Sequence, residues 1–159
     1  MGAESYPGLI KAVTLWQPWA TFMVLTREAG LAEKAFETRS WPTHYRGPLA
    51  IHASKKLVAE AIEVYHLVPW VSFIMYKHGF KSLQDLPFGC VLGTVELIDC
   101  HKTNDIACHL SKAERELGDY TRGRYAWQCI NPVRFEKPIP CAGHQGLWDW
   151  DPHEGSVAR

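Results

Sequence analysis

Two hydrophobic periods along the chain predict its strands and helices. Alternation of apolar and polar residues, clearest in GPLAIHAS, is typical of a half-buried strand. This alternation predicts strands over residues 10–16, 35–40, 47–54, 90–100, 124–135 and 146–150. Apolar residues that recur about every 3.6 positions predict helices over residues 18–29, 55–66, 70–78 and 104–117.

The order of these elements indicates the fold class. The strands are short and do not alternate regularly with helices, which argues against a doubly wound parallel sheet. We therefore expect an α+β protein, a small mixed β-barrel with flanking helices. One domain over 10–150 accounts for the pattern, with a flexible lead over 1–9 and a loose polar tail over 151–159.

Composition supports one globular domain and argues against three other classes of protein. The chain has 159 residues, of which 47% are hydrophobic, and this content is too apolar for a disordered protein. The 17 basic and 17 acidic side chains balance, which argues against a protein that coats nucleic acid non-specifically. No apolar run approaches the ~18 residues of a membrane span, so we expect no membrane partner.

The cysteines indicate reduced thiols. There are five, an odd number, with no C-x-x-C pair and no signal-like N-terminus, so we expect an intracellular protein, cytoplasmic or nuclear. DCHKTNDIACH contains Cys100, His101, Cys108 and His109, but adjacent Cys–His pairs are not the usual zinc spacing. We expect neither a metal nor a cofactor.

A charged segment follows the first predicted helix. Glu37 and Arg39 are two residues apart, which places them on one face of a strand, and Lys34 lies close by. The commoner interpretation is a solvated surface cluster. The alternative is a buried ionic group at the mouth of the barrel, which would indicate function because buried charges must be paired.

The surrounding segment is locally basic. Residues 34–56 contain five basic side chains and one acidic one, interleaved with Trp41, His44, Tyr45 and His52. Positive charge suits phosphate and flat rings suit a base, so this composition is typical of a nucleotide site.

The order of several motifs resembles the ASCH (activating signal cointegrator homology) domain, a family of the PUA-like superfamily. The matching stretches are VTLWQPWA, then K-x-x-E-x-R from Lys34 to Arg39, then YRGPLAIHAS over 45–54. GTVELIDC, GRYAW, NPVRFEKPIP and GLWDW continue the similarity, which covers about residues 15–150.

The resemblance implies a barrel with a cleft lined by the K-x-x-E-x-R residues and a ligand that is RNA or a modified nucleoside. One branch of the family hydrolyses the acetyl amide of acetylcytidine through a pattern resembling K-x-x-T-x-R, but Glu37 occupies the threonine position here. Thr38, next to it, is expected to face the other way. The resemblance also places LWQPWA at the rim of the cleft, where Gln17 would offer its amide to a base edge.

The predicted site combines these residues. Lys34 and Glu37 are the candidate catalytic residues. The predicted ligand-binding residues are Trp16, Gln17, Pro18, Arg39, Ser40, Trp41, Tyr45, Arg46, His52, Ser54, Lys55 and Tyr125.

Three functions remain open. The first is a binding module for RNA, single-stranded nucleic acid or a modified nucleoside. The second is a hydrolase that acts on an acylated nucleoside amide or on an RNA phosphodiester. For the phosphodiester, His52 and Lys55 are the candidate acid and base. The third is a module that binds a protein partner and no nucleotide.

Overall fold

The computed structural model describes residue 6, residues 8–153 and the backbone of residues 155–157. Most of the predicted lead, residues 1–5 and 7, lies outside the described part. The strands are β1 (Ile10–Leu15), β2 (Phe36–Arg39), β3 (Gly47–Ala53), β4 (Cys90–Lys102), β5 (Tyr125–Pro140), β6 (Leu147–Asp151) and β7 (Gly155–Val157). The helices are α1 (Trp19–Val24), α2 (Ala59–Leu67), α3 (Pro69–Lys77), α4 (Thr103–Ile106) and α5 (Lys112–Glu116).

All seven strands form one mixed sheet, in the order β2-β5-β4-β3-β1-β6-β7. Strands β1 and β3 are parallel, with Thr14 opposite His52, and every other described pair is antiparallel. The predicted α+β class, with a mixed barrel-like sheet and flanking helices, is confirmed. The sheet keeps two free edges, β2 and β7, so the barrel is not closed by strand pairing.

Curvature of the sheet brings β2 close to β1. In a flat sheet these strands would lie about 19 Å apart, four inter-strand spacings. Instead, Arg39 Nη2 on β2 donates a hydrogen bond of 2.9 Å to the carbonyl oxygen of Thr14 on β1. A single arginine side chain spans the opening, so the sheet must curl strongly.

The concave side of the sheet holds the main core. Alternate residues of β1, β3, β4 and β5 pack there against α1, as the hydrophobic alternation requires. Trp127 is fully buried in this core, as are Leu49 and Ile51. A second cluster, which includes Phe22 and Val71, joins α1 to α3.

Helix α1 ends five residues before its predicted end. Leu25 is extended, and its carbonyl oxygen accepts a hydrogen bond of 2.8 Å from Glu33 N–H. Lys34 N–H then donates to Phe22 O at 3.0 Å. The chain therefore reverses and passes back along α1, although the apolar period continues through residue 29.

The predicted helix over 104–117 is broken into pieces. Leu110 is extended, and it separates α4 and a 3-10 turn from α5. Helix α5 starts at Ser111, whose Oγ accepts a hydrogen bond of 3.1 Å from Glu114 N–H. This is the Ser-x-x-Glu spacing of an N-terminal helix cap, a signal that the longer periodicity obscured.

Two other boundaries also differ from the prediction. Strand β5 runs past its predicted end at residue 135 and continues to Pro140. At Asn131, which has a left-handed conformation with φ of 53°, the strand bulges and stays paired with β4. The tail was predicted to be loose, yet residues 155–157 pair with β6. Among the described residues, no helix is long and apolar enough to cross a membrane.

Candidate functional site

A cleft of about 1240 Å³ opens at the carboxyl ends of the parallel strands β1 and β3. Its walls come from the ends of these strands, the start of α1, the segment 34–41, helix α2, the segment 116–119 and the loop 142–146. Nine of the predicted site residues line it, namely Trp16, Lys34, Glu37, Arg39, Ser40, Trp41, His52, Ser54 and Lys55.

Three charged side chains converge in the cleft as an ionic network of Lys34, Glu37 and Arg39. Lys34 Nζ lies 3.5 Å from Glu37 Oε2, and Arg39 Nε lies 3.1 Å from Glu37 Oε1. Lys34 is only 2% exposed and also donates to the carbonyl oxygen of Phe36. The network is therefore a paired, nearly buried group rather than a solvated surface cluster.

Local structure explains this convergence. Glu37 and Arg39 share one face of β2. The chain reversal that follows α1 places Lys34 beside them. Behind them, the Glu114 carboxylate accepts the N–H groups of Ala35 at 3.1 Å and Phe36 at 3.0 Å. Burial raises the pKa of Glu114, and the charge of Lys34 and these backbone donors only partly offset it.

Aromatic rings border the network. Trp16 is 48% exposed at the rim, which is unusual for an indole. Trp19 is partly buried, so it packs on the core and lines the cleft at once. Trp41 contacts Trp127 edge-on, with ring centroids 4.8 Å apart, and this contact fixes its plane. The cleft thus has one exposed indole, that of Trp16, and two indoles that pack against other residues, those of Trp19 and Trp41.

His52 lies at the end of the cleft that the loop 142–146 covers. Its side chain is 1% exposed, and Nε2 lies 2.9 Å from the carbonyl oxygen of Cys141. Burial lowers the pKa of His52; the hydrogen bond to Cys141 raises it in part, and the electrostatic influence of His144 and Lys55 lowers it further. The imidazole is therefore favoured in its neutral form.

Two predicted rim residues lie outside the cleft. Gln17 is fully buried; its Nε2 donates to Pro87 O at 2.7 Å, and its Oε1 accepts from Thr21 N–H at 3.0 Å. Both ends of the amide are used internally, so Gln17 supports α1 instead of presenting its amide to a base. Pro18, joined to Gln17 by a cis peptide bond, caps α1 and does not line the cleft.

Three further predicted residues also lie elsewhere. Tyr45 donates to Pro48 O and lines a separate small hollow beside Lys11. Arg46 donates to the carbonyl oxygens of Thr43 and Tyr45. Tyr125 packs against the main core. Each was predicted because it lies near the K-x-x-E-x-R segment or on a barrel strand, and none of the three lines the cleft.

The sequence missed a whole wall of the cleft. Glu60 on α2, Glu116 on α5, Asp119 and the loop 142–146 all line it. Thr38, expected to face away, also lines the cleft, because the segment 116–119 folds against β2 and Asp119 N–H donates to Thr38 Oγ1 at 2.9 Å. The glycine-rich CAGHQG was the one available signal for the loop.

These residues change the charge of the site. Four basic side chains line the cleft, namely Lys34, Arg39, Lys55 and Arg124. Four acidic side chains also line it, namely Glu37, Glu60, Glu116 and Asp119. The local basic excess seen in the sequence is therefore balanced in space by acidic residues that are distant along the chain.

No metal site is evident in the part of the chain that the structure describes, where no group of three His, Cys, Asp or Glu side chains is placed to hold an ion. All five cysteines are free thiols.

Comparison with known proteins points to one family. The model of the ASCH domain matches residues 13–139. The chain is 30% identical over 146 residues to activating signal cointegrator 1 of mouse and of human, a match that covers 91% of this chain and 23% of each relative. The chain thus spans about a quarter of these relatives' length. The crystal structure of ASCH from Zymomonas mobilis is similar, with a TM-score of 0.47 and 16% identity over 82% of this chain and 72% of that one.

Proposed function

Because the chain belongs to the ASCH domain family, we propose that its cleft binds one nucleotide unit, either a nucleoside or a nucleotide extruded from single-stranded RNA. The observation that carries this proposal is the convergence of Lys34, Glu37 and Arg39 in a concave site bordered by indoles. Burying charges costs free energy, and a docking surface has no need of them.

The network offers hydrogen bonds suited to a base edge. The Glu37 carboxylate accepts hydrogen bonds, and the Arg39 guanidinium beside it donates them. Base edges carry neighbouring donors and acceptors in the same way, so a carboxylate next to a guanidinium can pair with both. Trp16, with its exposed ring at the rim, supplies a face for stacking.

The charge balance favours a single unit over a long strand. Proteins that track the backbone of RNA do so with a groove of unpaired positive charge. Here the basic side chains that line the cleft are matched in number by acidic ones. A ligand with few phosphates therefore fits better than a polyanion.

The geometry favours binding over hydrolysis. A lysine that acts as a general base must be free to take a proton from the substrate. Lys34 Nζ already donates to Phe36 O and faces Glu37, and its side chain is 2% exposed. Its role in this proposal is to hold the Glu37 carboxylate in place.

Calorimetric titration with the four ribonucleosides and with short single-stranded oligoribonucleotides tests the proposal. We expect the wild type to bind at least one of them, and Trp16→Ala to weaken binding about tenfold through loss of a stacking face. Trp70→Ala is the matched control, because Trp70 is 39% exposed on α3 and does not line the cleft. Glu37→Gln should also weaken binding, with thermal melting as the check on its fold.

Absence of binding by every ribonucleoside and oligoribonucleotide would contradict the proposal. Equal affinity of wild type and Trp16→Ala, with a loss in Trp70→Ala, would contradict it as well, because the ligand would then lie on α3. A protein partner that binds unchanged to the Glu37→Gln and Trp16→Ala variants would support the docking alternative instead.

A further inference from the structure

His52 has one ring nitrogen with a partner and one without. Nε2 lies 2.9 Å from the carbonyl oxygen of Cys141. Nδ1 is buried and has no hydrogen-bond partner among the described residues. Buried polar atoms are nearly always paired, so an unpaired ring nitrogen beside a cleft calls for an explanation.

The partner of Nε2 fixes the tautomer. A carbonyl oxygen can only accept a hydrogen bond, so Nε2 must carry the hydrogen. Burial favours the neutral ring, and the electrostatic influence of His144 and Lys55 favours it further. A neutral imidazole with hydrogen on Nε2 has a lone pair on Nδ1. The unpaired atom is therefore a hydrogen-bond acceptor.

Neighbouring groups do not satisfy this acceptor. The Thr14 hydroxyl, on the paired strand β1, accepts from Trp148 Nε1 at 3.2 Å and makes no hydrogen bond with Nδ1. His144 on the loop places its ring edge-on to Trp148 with centroids 5.1 Å apart, and its own Nε2 is also buried without a partner in the described chain. Two unpaired imidazole nitrogens thus lie at the same end of the cleft.

The loop residue that lies against His52 Nδ1 is Gly143, which has no side chain. Gly143 lies against His52 so closely that a Cβ there would be 2.6 Å from Cε1, 2.7 Å from Nδ1 and 2.7 Å from Thr14 Oγ1. The backbone N–H of Cys141 donates to Gly89 O at 3.2 Å. Among the described residues, no backbone–backbone hydrogen bond outside the helices and strands involves residues 142–145. A ligand reaches Nδ1 only if this segment shifts, and no backbone hydrogen bond of residues 142–145 has to break for it to do so.

We infer that His52 Nδ1 accepts a hydrogen bond from the bound ligand, so that the cleft selects a ligand with an uncharged N–H or O–H group at this end. The inference rests on the proposed function and specifies its ligand. A ribose hydroxyl or an exocyclic amine satisfies Nδ1. A phosphate or carbonyl oxygen would meet a lone pair there and is rejected.

Two variants separate the two ring nitrogens. The side-chain oxygen of Asn falls near the position of Nδ1, so His52→Asn keeps the acceptor and loses the bond to Cys141. The amide nitrogen of Gln falls near Nε2, so His52→Gln keeps the donor to Cys141 and loses the acceptor. Each variant is titrated with the best-binding ribonucleoside and with its analogues that lack one donor: the 2′-deoxy, the 3′-deoxy and, where the base has an exocyclic amine, the desamino form.

One of these analogues is expected to bind wild type about tenfold more weakly than the parent nucleoside, because without the missing donor group Nδ1 stays unpaired in the complex. The same discrimination should persist in His52→Asn and fall to about twofold or less in His52→Gln. If wild type binds parent and analogues equally, or if His52→Gln discriminates as wild type does, the inference is wrong while the proposed function stands. If no ribonucleoside or oligoribonucleotide binds at all, both are wrong.

Nitrogen NMR of the histidine rings gives a readout that a merely structural role would not move. In the free protein, Nδ1 of His52 should resonate as an unprotonated nitrogen and Nε2 as a protonated one. Saturation with the parent nucleoside should shift Nδ1 and leave Nε2 nearly unchanged. A protonated Nδ1 in the free protein, or an Nδ1 signal that does not respond to a saturating nucleoside, would overturn the inference.

Discussion

Arg39 on β2 donates from Nη2 to the backbone carbonyl oxygen of Thr14 on β1, at 2.9 Å, across the opening of the curled sheet. The same guanidinium faces Glu37 through Nε. One side chain therefore ties the free edge strand to the centre of the sheet and fixes the carboxylate that we place at the ligand. Fold and site are linked at this residue.

Replacement of Arg39 should weaken both the sheet and the site. Hydrogen bonds that involve a charged group contribute about 1.5–3 kcal/mol, so Arg39→Met should lower the free energy of unfolding by about that amount. Arg39→Lys keeps the charge but lacks the planar fork, and it should recover less than half of the loss. Urea unfolding measures both. Full recovery by lysine would show that charge alone, and not the bond to Thr14, ties the strands.

Removal of the Glu37 charge should expose the cost of burying Lys34. Loss of one partner of a buried ion pair costs about 3–5 kcal/mol, and Glu114 limits the loss here by keeping a second carboxylate near the ammonium. We expect Glu37→Gln to fall near the lower end of that range. The double variant Lys34→Met, Glu37→Gln should be more stable than Glu37→Gln alone, as measured by a double-mutant cycle in urea. Additive losses would contradict this coupling.

Protonation of Glu33 should lower the free energy of unfolding in acid. Burial alone would raise the pKa of Glu33, but hydrogen bonds from Lys77 at the end of α3 and from His78, which follows it, outweigh burial and hold the pKa below 4.5. The group therefore contributes stability that is complete above pH 4.5 and is lost as pH falls through the lowered folded value. Glu33→Gln should flatten the unfolding free energy over this acid range. The same acid slope in wild type and variant would assign the loss to other carboxylates.

A side chain at Gly143 should lower both stability and nucleoside binding. The Cβ of Gly143→Ala would meet His52 Cε1 at 2.6 Å, which forces the loop 142–146 or the imidazole to move. We expect a loss of about 1–3 kcal/mol in unfolding free energy and weaker nucleoside binding. Gly8→Ala is the control, because a Cβ there meets nothing within 4 Å, and it should change stability by less than about 0.5 kcal/mol. Equal behaviour of the two variants would show that the loop does not hold His52.

Local patterns predicted most of the strands and the residues that meet at the centre of the candidate site. Alternation identified six of the strands, and the spacing of Glu37 and Arg39 placed them on one face. The segment that carries them is only a few residues long, so its geometry follows from local rules. The same holds for the strand that carries His52.

Local patterns could not predict the contacts between residues that are far apart in the sequence. Gln17 is turned inward by Pro87, 70 residues away, and Glu114 reaches Ala35 from 79 residues away. The acidic wall at Glu116 and Asp119 depends on the break at Leu110, which the apolar period concealed. Charge along the sequence therefore indicated a basic site, whereas charge in space is balanced.

The position of a bound ligand tests the central claim most directly, and the indole N–H signals of the seven tryptophans report that position. Addition of the best-binding ribonucleoside to protein labelled with ¹⁵N-tryptophan should shift Trp16 and Trp41, which line the cleft, and leave Trp70 on α3 unchanged. Single Trp→Phe variants assign the signals. Shifts at Trp70 without shifts at Trp16 or Trp41 would place the ligand away from the Lys34–Glu37–Arg39 network and contradict the central claim.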